Sequence, residues 1–174
     1  QSNGLDGDDL AREVVRLFDE RPQVLARDQE RYPYILVDEF QDTNTAQYAL
    51  LRQLAAKSHN LFVVGDEDQS VYRWRGADFR NIQRFREHNP QLTEIVLEQN
   101  YRSTQTILDA ARGVIDRNVH RTQKNLFTQR SGGAAINVYE AYNQDDEAQY
   151  VVETIQQLIR KQQYKLSDFA VFYR

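Results

Sequence analysis

At 174 residues, with 40% hydrophobic and 28% charged side chains, the chain suffices for one ordinary domain or two small lobes, and is too apolar for a disordered segment. A net charge of −4 excludes a global basic field for nucleic acid, so any such contact must come from a local patch. The absence of cysteine excludes disulfides, thiolate metal sites and a cysteine nucleophile, and fits a reducing compartment.

No apolar run approaches the roughly 18 residues of a membrane span, and no signal-peptide pattern opens the chain. The expected location is the cytoplasm, with no membrane partner. His59, His88 and His120 are widely spaced and read as surface residues. The chain opens Gln1-Ser2-Asn3-Gly4, contains no methionine and stops at Arg174 straight after an apolar run, which reads as an internal piece of a longer protein.

In chain order, Leu10, Val14, Leu17 and Phe18 place one apolar stripe on a helix from Asp8 to Asp19, and Val24 and Leu25 suggest a second, short helix. Tyr32-Pro33 forces extended geometry and leads into the run Tyr34-Ile35-Leu36-Val37, which reads as a strand buried on both faces. It ends abruptly in Asp38-Glu39-Phe40-Gln41-Asp42. Ala46, Leu50, Leu51 and Leu54 mark the next helix, with Asp42 or Thr43 available as its cap. A second buried strand, Leu61-Phe62-Val63-Val64, also ends in acids, Gly65-Asp66-Glu67-Asp68. Strand, helix and strand make a parallel crossover unit, so the fold class is α/β and both acidic ends fall on one sheet edge.

Phe79, Ile82 and Phe85 predict a further helix, and Glu94-Ile95-Val96-Leu97 a third strand. Ile107, Leu108, Ala111, Val114 and Ile115 form a helix opened by Ser103 or Thr104. From Asp116 to Gly133 the sequence is polar, with Leu126 and Phe127 its clear apolar pair and Gly132-Gly133 a turn. A second β-α-β unit is expected beyond it, from Ile136–Tyr139 through the helix carrying Val151, Ile155 and Ile159 to Phe169–Tyr173. The lobe boundary is expected between Leu97 and Thr104.

Three blocks carry chemistry. Ligands of open α/β sheets bind beyond the carboxyl ends of the strands, where Asp38 and Glu39 can divide two tasks, holding Mg²⁺ and orienting or deprotonating a water. They can equally be plain strand-ending residues. In the second block, Tyr72, Trp74, Arg73 and Arg75 have the composition of a stacking platform for single-stranded bases, although Trp74 could equally be a buried anchor. Gln69 can donate and accept, and so can sense a phosphate or place a water. In the third, Arg102 just before a helix N-terminus suits phosphate oxygens, and Tyr101 beside it can stack on a base.

The order DEFQDTN, GDEDQSVYRWRGAD, LEQNYRST resembles the superfamily 1 DNA helicases of the UvrD, PcrA and Rep type, over roughly Asp6 to Arg174. The resemblance implies RecA-like motor lobes, incomplete here, with 1–98 the C-terminal part of the first and 99–174 the beginning of the second. It implies an ATP-dependent parent moving 3′ to 5′ on single-stranded DNA and acting on 3′-tailed duplexes, with Mg²⁺ and ATP as cofactors and the remaining parts of the same helicase as partners. By similarity Asp38 holds Mg²⁺ and Glu39 activates water. Gln69 and Arg102 contact the γ-phosphate, and Tyr101 stacks on adenine. Tyr72, Trp74 and Arg75 line the DNA path, while Gln41 and Asp42 tie the metal site to neighbouring motifs. The chain departs from the family in having Gly7 within its acidic N-terminal stretch, where an aromatic residue is usual. It contains no Gly-x-x-x-x-Gly-Lys-Ser/Thr loop, so the isolated chain is expected to be inactive. Two competing readings are a metal-dependent nuclease built on Asp38, Glu39, Asp66 and Asp68, and a non-catalytic helicase-like module that binds DNA or a partner.

Overall fold

The computed structural model describes residues 6–118, 122–162 and 164–173, so His120 and the first five residues lie outside the description. The chain packs as two compact units, Gln1–Arg130 and Ser131–Arg174.

In the first unit, helices α1 (Gly7–Glu20) and α2 (Pro22–Arg31) lead into strand β1 (Ile35–Val37). A 3-10 turn (Phe40–Asp42) and helix α3 (Thr45–Ala55) return the chain to strand β2 (Leu61–Val63). The two strands pair in parallel, Ile35 opposite Leu61 and Val37 opposite Val63, as the crossover pattern requires. The cap of α3 is neither Asp42 nor Thr43. Asn44 accepts the Gln47 N–H at 2.9 Å while Gln47 Oε1 accepts the Asn44 N–H at 2.9 Å, a reciprocal capping box.

The expectation of strands buried on both faces fails. Leu36 is 74% and Phe62 61% exposed, whereas Val37, Leu61 and Val63 turn to the other face and pack on the core. Side chains alternate across a strand, so only one face meets the Phe40, Tyr48 and Phe85 cluster. Its rings meet edge to face, with centroids 5.8 Å apart for Phe40 and Tyr48 and 5.5 Å for Phe40 and Phe85. Phe85 comes from α4 (Arg80–His88). His88, at the surface as expected, shares a 2.8 Å hydrogen bond with the Tyr48 hydroxyl.

The predicted third strand is also corrected. Residues 94–97 form no ladder, and Ile95 and Leu97 are exposed. The pairing occurs just downstream, as an isolated parallel bridge between Gln99 and Phe127. Helix α5 (Gln105–Ile115) follows, with Thr104 at its N-cap position.

In the second unit, helix α6 (Gln144–Arg160) opens on Asn143, whose side chain accepts the Asp145 and Asp146 N–H groups, each at 3.0 Å. The flanking runs 136–139 and 169–173 form no strand, contrary to the second β-α-β expectation. A strand exists only where a neighbour completes its ladder, and among the described residues neither run has one. An apolar groove of about 320 Å³ lies between α6 and residues 169–172, and none of the candidate site residues lines it.

Candidate functional site

The carboxyl ends of β1 and β2 are locked side by side. Val64 N–H donates to Val37 O at 2.8 Å and Phe40 N–H to Val64 O at 2.9 Å, carrying the ladder past both strands. The acids that follow therefore share one sheet edge. Glu39 sits there in left-handed backbone geometry, φ 50 and ψ 42, which is uncommon for a residue with a Cβ and concentrates at functional turns. Asp38 Oδ1 accepts the Glu39 N–H at 2.9 Å, and both side chains are exposed.

Gln41 joins the two acidic ends. It is 1% exposed, donates Nε2 to Glu39 Oε2 at 2.6 Å and accepts the Asp66 N–H on Oε1 at 3.0 Å. A buried amide satisfied at both ends fixes the groups it bridges. Asp42 makes no such link. Its Oδ1 is buried without a hydrogen-bond partner, and its carboxyl is held above the ordinary value by burial and by the Glu39 charge.

Asp66 organises the second motif. Its Oδ1 accepts the Asp68 N–H at 3.0 Å, opening the 3-10 turn Glu67–Gln69, and its Oδ2 accepts the Gln69 side-chain amide at 3.0 Å. Burial raises its pKa, but the bonds from Lys124, Gln69 and Asp68 outweigh burial and leave it below the usual carboxylate value. Lys124 Nζ bonds Asp66 and lies 3.3 Å from Asp68. Nothing in the polar stretch around Lys124 signals this role, because the contact spans 58 residues.

Past Gln69, a 3-10 turn (Arg73–Arg75) ends at Gly76, whose φ of 87 requires glycine. Trp74 is 73% exposed, which removes the buried-anchor reading. The Arg75 guanidinium lies 4.5 Å from the Trp74 ring centroid and 5.3 Å from that of Tyr72, a cation over two exposed aromatic faces. Asn81 anchors this loop to the first motif and has no sequence signature. It is fully buried, and its Nδ2 donates to Thr43 O at 3.0 Å and to Thr43 Oγ1 at 3.2 Å.

The third motif turns on Asn100, whose side chain accepts the N–H groups of Arg102 and Ser103 at 2.9 and 2.7 Å. Tyr101 and Arg102 are exposed beside the start of α5, and the Tyr101 hydroxyl donates to Gln99 at 3.0 Å. The structure thus brings Glu39, Gln41, Asp66 and Gln69 into one bonded network. Among the described residues no hydrogen bond or ion pair joins Tyr101 or Arg102 directly to Asp38, Glu39 or Gln69.

A parallel strand–helix–strand unit with carboxylates at its carboxyl edge and an arginine–aromatic loop beside it defines an α/β protein with a ligand edge. The family model of the UvrD/REP helicase N-terminal domain matches residues 1–90, and that of the UvrD-like helicase C-terminal domain matches 95–174. The chain belongs to the UvrD/REP helicase family. Over all 174 residues it is 49% identical to the ATP-dependent DNA helicase PcrA of Bacillus subtilis (strain 168) and 48% identical to that of Leuconostoc citreum. It spans about a quarter of these relatives' length, 24% and 23%.

Proposed function

We propose that this chain is part of an ATP-driven DNA translocase that moves 3′ to 5′ on single-stranded DNA, with 1–98 and 99–174 belonging to two RecA-like motor lobes. The supporting observation is the Gln41 bridge, which makes the water-activating Glu39 and the Asp66–Gln69 turn one unit at the sheet edge. The remaining parts of the same helicase, a 3′-tailed duplex and its single strand are the partners.

Asp38, exposed at the strand end with one oxygen on a backbone N–H, fits a Mg²⁺ held by a single carboxylate together with phosphate oxygens and waters. Asp38 would hold the ion there, and the chemistry supplied would be positive charge beside the phosphates. Glu39, its carboxylate fixed by Gln41, orients the attacking water and takes its proton. Gln69, held by Asp66, reads the γ-phosphate, Arg102 supplies positive charge to it, and Tyr101 offers a face to adenine. Tyr72, Trp74 and Arg75 carry bases and phosphates along the DNA path.

The pairing of Asp66 and Asp68 with Lys124 favours the translocase over a nuclease that would need both carboxylates for metal. Trp74 is the only tryptophan, so titrating the chain with oligo-dT tests the DNA half of the reading. Its emission is expected to fall to saturation and recover with salt; unchanged emission at saturating oligo-dT contradicts the assignment.

A further inference from the structure

Resting on that reading, we infer that Lys124 is a positioning residue, and that residues 122–130 are a strap joining the loop of Gln69 to the loop of Arg102. At one end, Lys124 Nζ, only 13% exposed, bonds Asp66 and faces Asp68. The neighbouring Thr122 donates its N–H to Glu67 Oε2 at 2.7 Å. Arg86 closes this end, reaching Glu67 at 2.7 Å, Thr122 Oγ1 at 2.7 Å and Glu94 at 2.6 Å. All three acidic residues of the Gln69 turn, Asp66, Glu67 and Asp68, are thus engaged from the strap.

At the other end the same segment grips the third motif. Asn125 N–H donates to Glu98 Oε1 at 2.8 Å, Phe127 N–H to Glu98 O at 3.0 Å, and Asn100 N–H to Phe127 O at 2.7 Å. Arg130 Nη1 then donates to the Arg102 carbonyl at 2.6 Å. Nine residues therefore bond both phosphate-reading loops. Lys124 is the pin: its charge holds Asp66 so that the opposite carboxylate oxygen keeps the Gln69 amide in one orientation. A shift of Gln69 then moves the strap, and with it the backbone that presents Arg102.

The test uses ¹⁵N-labelled chain 1–174 without nucleotide or DNA. Lys124→Met is expected to shift the side-chain amide signals of Gln69 and, in the same spectrum, the backbone amides of Asn100, Tyr101 and Arg102, while amides of α1 remain in place. Lys124→Arg, which keeps the charge, is expected to restore both sets. Changes confined to residues 122–130, or a Gln69 signal unmoved by Lys124→Met, overturn the inference. Should Lys124→Met fail to fold, Asp66→Asn provides the same readout from the opposite partner, and it must shift the Asn100–Arg102 amides or the inference falls. Oligo-dT quenching of Trp74 is read separately: its absence alongside a Lys124-dependent Gln69 signal rejects the translocase reading and leaves the strap standing.

Discussion

A Cβ placed on Gly65 would lie 2.8 Å from Gln41 Oε1 and 3.3 Å from the backbone nitrogens of Gln41 and Phe40. Gln41 cannot swing away, because it is buried and bonded at both ends. Glycine at 65 is thus required by the close approach of the two acidic strand ends. Gly65→Ala is expected to cost about 1–3 kcal/mol, as overpacking of a tight interior does, and to lower the urea midpoint without changing the slope. An unchanged midpoint would show that the Gln41 bridge is loose.

Asn81 holds the loop of Trp74 to the segment after the first motif. Asn81→Leu removes donors to Thr43 and the acceptor that Arg84 reaches at 3.0 Å, leaving buried groups with fewer partners. A loss of about 1–3 kcal/mol is expected in denaturant unfolding. Asn81→Asp, which keeps shape but not the donor, is expected to fall on the same side.

Acid should loosen this edge in a defined window. Asp66 is lowered because its hydrogen bonds outweigh burial, and Asp78 chiefly by its hydrogen bond from Arg80, both from an ordinary value near 3.8. A carboxyl lowered in the folded state contributes stability that is fully present above its unfolded pKa and is lost as pH falls through the folded one. Urea unfolding from pH 7 to pH 3 is therefore expected to show stability declining below about pH 5, and the gap between wild type and Asp66→Asn narrowing as pH drops. A gap that widens toward pH 3 would mean that Asp66 is not favoured in its charged form.

The proposed DNA path through Trp74 and Arg75 separates into a stacking and a charge contribution that can be tested one at a time. Trp74→Ala is expected to weaken labelled oligo-dT binding, followed by anisotropy, by about 1–3 kcal/mol. Arg75→Gln is expected to weaken it less and to flatten its salt dependence. Equal affinity for both variants and the wild type would place the DNA path elsewhere. The chain alone is expected to show no DNA-stimulated ATP turnover, since it contains no glycine-rich lysine loop to grip the β- and γ-phosphates.

The strand–helix–strand unit was legible because Tyr34–Val37 and Leu61–Val64 are short apolar runs ending in acids, a local pattern that survives without knowledge of neighbours. Their two-sided burial was not, because a run such as Ile35-Leu36-Val37 looks the same whether or not a second layer covers Leu36. The runs at 94–97, 136–139 and 169–173 misled for a related reason: strand formation is a property of a pair. Exposure of Trp74 was not legible, because an aromatic residue between arginines fits a stacking face and a buried anchor alike. Of Gln41 and Asp42, which the family resemblance paired as ties, Gln41 alone makes the bridge. Lys124, Arg86 and Asn81 act across 58, 19 and 38 residues, distances over which a single sequence carries no pairing signal.

The role of Glu39 at the Gln41-bridged edge is tested most directly by grafting this chain in place of the matching quarter of the Bacillus subtilis relative and measuring ATP hydrolysis with and without single-stranded DNA. The graft is expected to hydrolyse ATP in a DNA-stimulated manner, and Glu39→Gln within it to lower turnover by about 10²-fold or more while DNA binding persists. A graft carrying Glu39→Gln that turns over ATP as fast as the unsubstituted one would contradict the account.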